Sequence, residues 1–81
     1  MIHAVVERGT AVPPSRQIAD TLRGKIASGE YAPGSALPSI VQLSDEFEVT
    51  TNTVRKALGI LRDEGLIESV PGYGTFVRKD S

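Results

Sequence analysis

Between Val49 and Arg62 the residue types are sorted by face, and that sorting constrains the fold more than any other feature of the chain. At about 100° per residue in a helix, Val54, Ala57, Leu58 and Leu61 fall on one side, while Asn52, Arg55, Lys56 and Gly59 fall on the other. The first side needs an apolar partner. The second is a short polar and cationic strip of the kind that enters a DNA groove. Thr50 reads as the N-cap of this helix and Gly65 as its stop. Ahead of it, Leu37-Pro38-Ser39 opens a shorter helix: Ser39 with Gln42 three residues later makes a capping box, and Leu43 and Phe47 point inward. Glu48 to Thr50 leaves room only for a tight turn between the two. After Gly65, Leu66-Ile67-Glu68-Ser69-Val70 and Thr75-Phe76-Val77-Arg78 read as strands around the turn Pro71-Gly72-Tyr73-Gly74, whose glycines supply positive φ.

Upstream, Gly9 to Pro14 breaks the chain. A first helix starts at Pro14 or Ser15, carries the apolar stripe Ile18, Ala19, Leu22 and Ile26, and ends near Ser28-Gly29. Glu30 to Ala36 is a turn-rich connector. Residues 2–8 alternate loosely, a pattern that fits either a short N-terminal strand or a frayed end. The expected fold is mainly α with a small β-hairpin: a winged helix-turn-helix of three helices plus a two-stranded wing over residues 13–78. Residues 1–12 form an N-terminal segment and 79–81 a tail.

Eighty-one residues suffice for one modest core. The chain has no cysteine, which excludes disulfides and thiolate metal sites. Its first residues are too short and too polar a run for a signal sequence or a membrane span, so a cytoplasmic protein is expected. His3 is the sole histidine, no second ligand type stands at metal spacing, and no nucleophile–base pair or carboxylate dyad sits on a recognisable frame. Neither an enzyme nor a cofactor or metal site is expected.

Net charge is −1, with a pI of about 5.7, which on average argues against a polyanion partner. Locally the balance reverses. Residues 49–62 hold Arg55, Lys56 and Arg62 and no acid, whereas Asp45, Glu46, Glu48, Asp63 and Glu64 flank them. Recognition depends on the local field. The small cationic total implies few phosphate contacts and a shallow salt dependence.

Arg55 is the leading DNA-contact candidate, since a planar cation on the polar face reaches a guanine edge or a phosphate. Lys56 fits a backbone phosphate, or a free surface lysine. Thr50, Thr51, Asn52 and Thr53 bunch at the helix start. Their hydroxyls and the free N–H groups suit phosphate, Asn52 suits adenine, Thr51 suits a thymine methyl, and simple capping by Thr50 is compatible with all of these. Ser39 caps the second helix and offers a similar helix start. At the wing, Gly72, Tyr73, Gly74 and Thr75 form a tip from which Tyr73 projects, either onto DNA or packed along the hairpin. Gly59 sits mid-helix on the cationic strip, where close backbone approach or mere tolerance would account for it.

These segments resemble the N-terminal DNA-binding domain of the GntR family of bacterial transcription regulators. The matching pieces are Leu37-Pro38-Ser39; Val49-Thr50 with Thr53-Val54-Arg55-Lys56-Ala57-Leu58; Glu64-Gly65-Leu66-Ile67; and Gly72-Tyr73-Gly74-Thr75-Phe76-Val77. Pro14 to Ala19 and Ile26 to Tyr31 match upstream, so the resemblance spans about residues 13–78. Three positions depart from it: Val41 and Thr51 stand where the family carries arginine, and Tyr73 occupies a wing tip that is often basic. The family also continues into an effector-binding, dimerising domain after the wing, and this sequence stops at Ser81. The resemblance implies a sequence-specific DNA-binding regulator, a repressor, acting on double-stranded DNA. Pairing as a homodimer would run through the N-terminal segment or the first helix, with no small-molecule effector site and no membrane contact. The acidic pI and the missing arginines leave an alternative: a winged-helix protein-interaction module, or an accessory regulator with weak or no DNA binding.

Overall fold

In the computed structural model, which describes residues 12–79, helix α1 (Pro14–Ala27) starts where proline requires it. Pro13 takes an extended conformation, and Pro14 sits at the first helical position, whose N–H would have no partner in any case. Ile18, Ala19 and Leu22 are fully buried, and Ile26 packs at the edge of the core. Helix α2 (Ile40–Phe47) opens on the expected capping box: Ser39 Oγ accepts from the Gln42 N–H at 3.1 Å, and Gln42 Oε1 accepts from the Ser39 N–H at 2.9 Å. Leu43 and Phe47 point inward. The turn to the next helix passes through Glu48 in the left-handed region, φ 57°, an unusual conformation for a residue with a Cβ.

Helix α3 (Thr51–Asp63) is capped by Thr50, whose Oγ1 accepts from the Thr53 N–H at 3.3 Å. Its inward residues Val54, Ala57 and Leu61 have no solvent exposure and Leu58 almost none, and they pack with α1 and α2. The C-terminal end of α3 is also tied to α1 by charge. Arg23 donates from Nε and Nη2 to the two carboxylate oxygens of Glu64, at 2.8 and 2.7 Å, and from Nη1 to Asp20. These bonds from Arg23 hold the Glu64 carboxyl below the usual carboxylate range.

Strands β1 (Ile67–Val70) and β2 (Gly74–Val77) pair antiparallel, in the register Ile67↔Val77, Glu68↔Phe76, Ser69↔Thr75 and Val70↔Gly74. Ile67 and Val77 anchor this wing in the core. Relative to the sequence reading, β1 is one residue shorter at its start and β2 is displaced by one residue toward the N-terminus. Leu66 gives its N–H to the Leu61 carbonyl to finish α3, so β1 begins at Ile67; β2 begins at Gly74 and ends at Val77. The connector before α2 also joins the sheet, which the sequence reading had as turns alone. Ala36 bridges Phe76, Gly34 donates to the Val77 carbonyl, Val77 to Ser35, and Leu37 to the Thr75 carbonyl. The expected strand or frayed end at residues 2–8 lies outside the described residues.

Candidate nucleic-acid interface

Helix α3 turns Asn52, Arg55 and Lys56 to solvent, opposite its buried stripe, with Gly59 half-buried beside them. Arg55 Nη1 is 3.4 Å from Thr51 Oγ1, longer than an ordinary N–H···O bond, so its guanidinium is loosely held and keeps its other donors for a ligand. Thr50 Oγ1 and Thr53 Oγ1 lie 3.1 Å apart. Each hydroxyl is thereby engaged in the cap, yet hydroxyl oxygens retain acceptor capacity.

Cations are treated differently on α1 and α3. Arg16 and Arg23 reach Asp20, Arg23 also reaches Glu64, and Lys25 lies between Glu30 and Glu46. Lys25 also lies over the Tyr31 ring, 5.8 Å from its centroid. Burial lowers the Lys25 affinity for its proton, and the negative neighbours outweigh that, leaving its pKa raised. Among the described residues no carboxylate comes within ion-pair distance of Arg55 or Lys56. The positive charge of α1 is neutralised in place; that of α3 stays available to a polyanion.

The start of α2 and the tip of the wing share one cleft, lined by Ser39, Val41, Tyr73, Gly74 and Thr75. Gly72 and Gly74 have φ of 82° and 118°, as the tight turn requires, and Tyr73 stands out between them, 80% exposed. Thr75 is half-buried and its carbonyl accepts the Leu37 N–H, so it belongs to the base of the wing as much as to its tip. Thr50 and Thr53 line a different cleft, with Pro14, Glu48 and Val49.

Two residues at this surface were named in the sequence reading but not among its contact candidates. Val41 is 62% exposed at the start of α2, off the Leu43/Phe47 stripe; that displacement from the stripe was the available signal. Arg62 lies two turns after Arg55 on nearly the same face, and its Nη1 donates to Ser69 Oγ in β1 at 2.9 Å. The seven-residue spacing from Arg55 was legible, though its partner was not. Among the described residues, no group of His, Asp or Glu is placed to hold a metal ion, and no helix is long and apolar enough to cross a membrane.

Comparison with known proteins agrees with this geometry. Residues 14–77 match the model of bacterial regulatory proteins of the gntR family. The chain is 47% identical over 68 residues to the mannosyl-D-glycerate transport/metabolism system repressor MngR of Escherichia coli, covering 84% of this chain and 28% of that protein. It is 36% identical over 74 residues to the transcriptional repressor NagR of Bacillus subtilis, covering 91% of this chain and 30% of that one. The chain thus spans about a third or less of the length of these curated relatives. Among solved structures, the AraR DNA-binding domain in complex with operator ORX1 superposes with a TM-score of 0.88 at 33% identity, over 95% of this chain and 99% of that one. YtrA of Sulfolobus acidocaldarius, a GntR-family transcription factor, superposes with a TM-score of 0.81 at 38% identity, over 90% and 77%. The family is one of transcription regulators and not of enzymes, and the AraR domains among these solved structures are in complex with operator DNA. The chain belongs to the GntR family of bacterial regulatory proteins, and residues 14–77 are its winged helix-turn-helix DNA-binding domain.

Proposed function

We propose that this domain works as the DNA-reading part of a repressor, with α3 in the major groove and the wing against the adjacent minor groove or its backbone. The observation that carries the reading is the unpaired cationic strip of α3, set opposite a face with no solvent exposure. Arg55 and Asn52 touch base edges. Lys56 and the helix start at Thr50, Thr51 and Thr53 meet phosphates, as does the start of α2 at Ser39. Gly72, Tyr73, Gly74 and Thr75 present the wing. Repression is supported by the names of MngR and NagR, and the site of action is the cytoplasm, where bacterial DNA lies. One module of this size buries little surface, so tight binding takes two copies on a repeated or palindromic site, paired through the N-terminal segment, through α1 or only on the DNA.

Selection of bound fragments from a random double-stranded DNA pool tests the reading. The expected result is an enriched motif with two half-sites, bound about tenfold or more weakly by Arg55→Ala. Failure to enrich any motif, or an Arg55→Ala protein that binds as the parent does, rules it out. Sedimentation that finds a single copy on the selected fragment removes the pairing.

A further inference from the structure

We infer that Arg62 is a positioning residue: through Ser69 it fixes the angle of the wing to α3, so that both elements meet one DNA duplex together. The inference rests on the DNA-reading role proposed above. Its ground is the way in which one rung of the hairpin is gripped from both sides. Ser69 and Thr75 are register partners, one rung short of the last pair, Val70 and Gly74. On the β1 side, Arg62 Nη1 of α3 donates to Ser69 Oγ at 2.9 Å. On the β2 side, the Leu37 N–H, two residues before the cap of α2, donates to the Thr75 carbonyl at 2.8 Å. Helix α3 and the segment leading into α2 therefore reach the same rung.

That rung is where a brace has most effect. Ile67 and Val77 are buried and hold the root of the wing, but Ser69 is exposed, Val70 is only half-buried and residues 71–74 at the tip are exposed. Apolar packing therefore does not set the direction of the outer wing, and the backbone bonds from the connector reach β2 at Thr75 to Val77 and not β1, in a hairpin that by itself is marginally stable and strongly twisted. A planar guanidinium bonded to the strand limits that freedom with little loss of side-chain entropy per bond. Arg62 shares a face with Arg55 but spans the angle between helix and strand.

Two variants separate a brace from a direct phosphate contact. Ser69→Ala removes the acceptor and leaves the cation; Arg62→Ala removes the donor and the cation together. Backbone 15N relaxation of the free protein should show order parameters falling across residues 69–76 in both variants, with unfolding temperatures near the parent's because both side chains are exposed. On a fragment selected by the parent from a random DNA pool, each variant should bind about three- to tenfold more weakly, the size of one hydrogen bond. The double variant should be no worse than either single one, Ser69→Thr should keep parental affinity, and Tyr73→Ala should cost less in the Ser69→Ala background than in the parent. Unchanged wing order in the free variants overturns the inference. So does a neutral Ser69→Ala beside an Arg62→Ala that flattens the salt dependence by about one ion, the mark of a phosphate contact. A pool that yields no bound sequence defeats the DNA-reading role instead, and the relaxation data still decide whether Arg62 holds the wing.

Discussion

The inward and outward faces of α3 follow opposite rules. Inward, Val54, Ala57 and Leu61 lose all contact with solvent, and their neighbours Ile18, Leu22 and Leu43 on α1 and α2 do the same. Outward, Asn52, Arg55 and Lys56 are exposed, Arg55 with only one long bond to Thr51, and the helix carries a glycine where alanine would be more stable. Stability and recognition therefore occupy different atoms of one helix, and substitutions should separate them. The wing does not divide so cleanly: Ile67 and Val77 belong to the core, while Tyr73 is exposed a few residues away.

The largest test of that division is Leu61→Ala. Leu61 has no exposure and belongs to the buried core cluster, so truncation should cost about 2–5 kcal/mol of unfolding free energy, read by chemical denaturation. For a domain this small, that is much of its total stability. DNA binding should fall only in proportion to the unfolded fraction, and should return at low temperature or on adding stabilising salts. Binding lost by a fully folded Leu61→Ala protein would break the separation. Arg55→Ala is the converse. It should cost about 1–3 kcal/mol of DNA binding on a selected fragment while leaving the denaturation midpoint unchanged within error. A fall in the midpoint of comparable size would place Arg55 in the fold instead of the interface.

What the sequence disclosed depends on how local each cause is. The caps at Ser39 and Thr50, the inward stripe of α3 and the positive φ of Gly72 and Gly74 follow from neighbours a few residues apart, and each is found where the pattern puts it. The start of β1 was off by one because Leu66 serves the last turn of α3 before it can serve the sheet. The bridge from Ala36 to Phe76 joins residues forty positions apart, and nothing in the turn-rich connector announces it. Arg23 with Glu64 and Arg62 with Ser69 were illegible for a related reason: each needs the angle between two packed elements, which no periodicity records. Val41 was noticed only as a departure from a family pattern; its exposure beside Tyr73 emerges once α2 and the wing tip are placed together.

Smaller effects sharpen the comparison at the start of α3, where the two rules meet. Thr50→Ala removes a cap whose bond to the Thr53 N–H is long, 3.3 Å, so a loss of about 1 kcal/mol of stability is the expected upper end. The same hydroxyl is proposed to face phosphate. Thr50→Asn retains a capping oxygen, so it should restore stability. If affinity stays low when stability returns, the hydroxyl acts on DNA directly; if both return, capping was its whole contribution.

Gly59→Ala is the finest discriminator because it should move stability and binding in opposite directions. A Cβ at this position would meet nothing nearer than Arg62 Nη2 at 3.9 Å, ordinary contact with the end of a flexible side chain. Replacing a mid-helix glycine with alanine should therefore raise stability by about 0.5–1 kcal/mol, visible as a higher denaturation midpoint. If the glycine is there so that the groove wall can approach the α3 backbone, the added methyl should weaken binding to a selected fragment even as the protein becomes harder to unfold. Equal or better binding by the stabilised variant would mean that the outward strip works through its polar side chains alone. The surface between Arg55 and Arg62 would then be spare room, and close backbone approach would be no part of how α3 reads DNA.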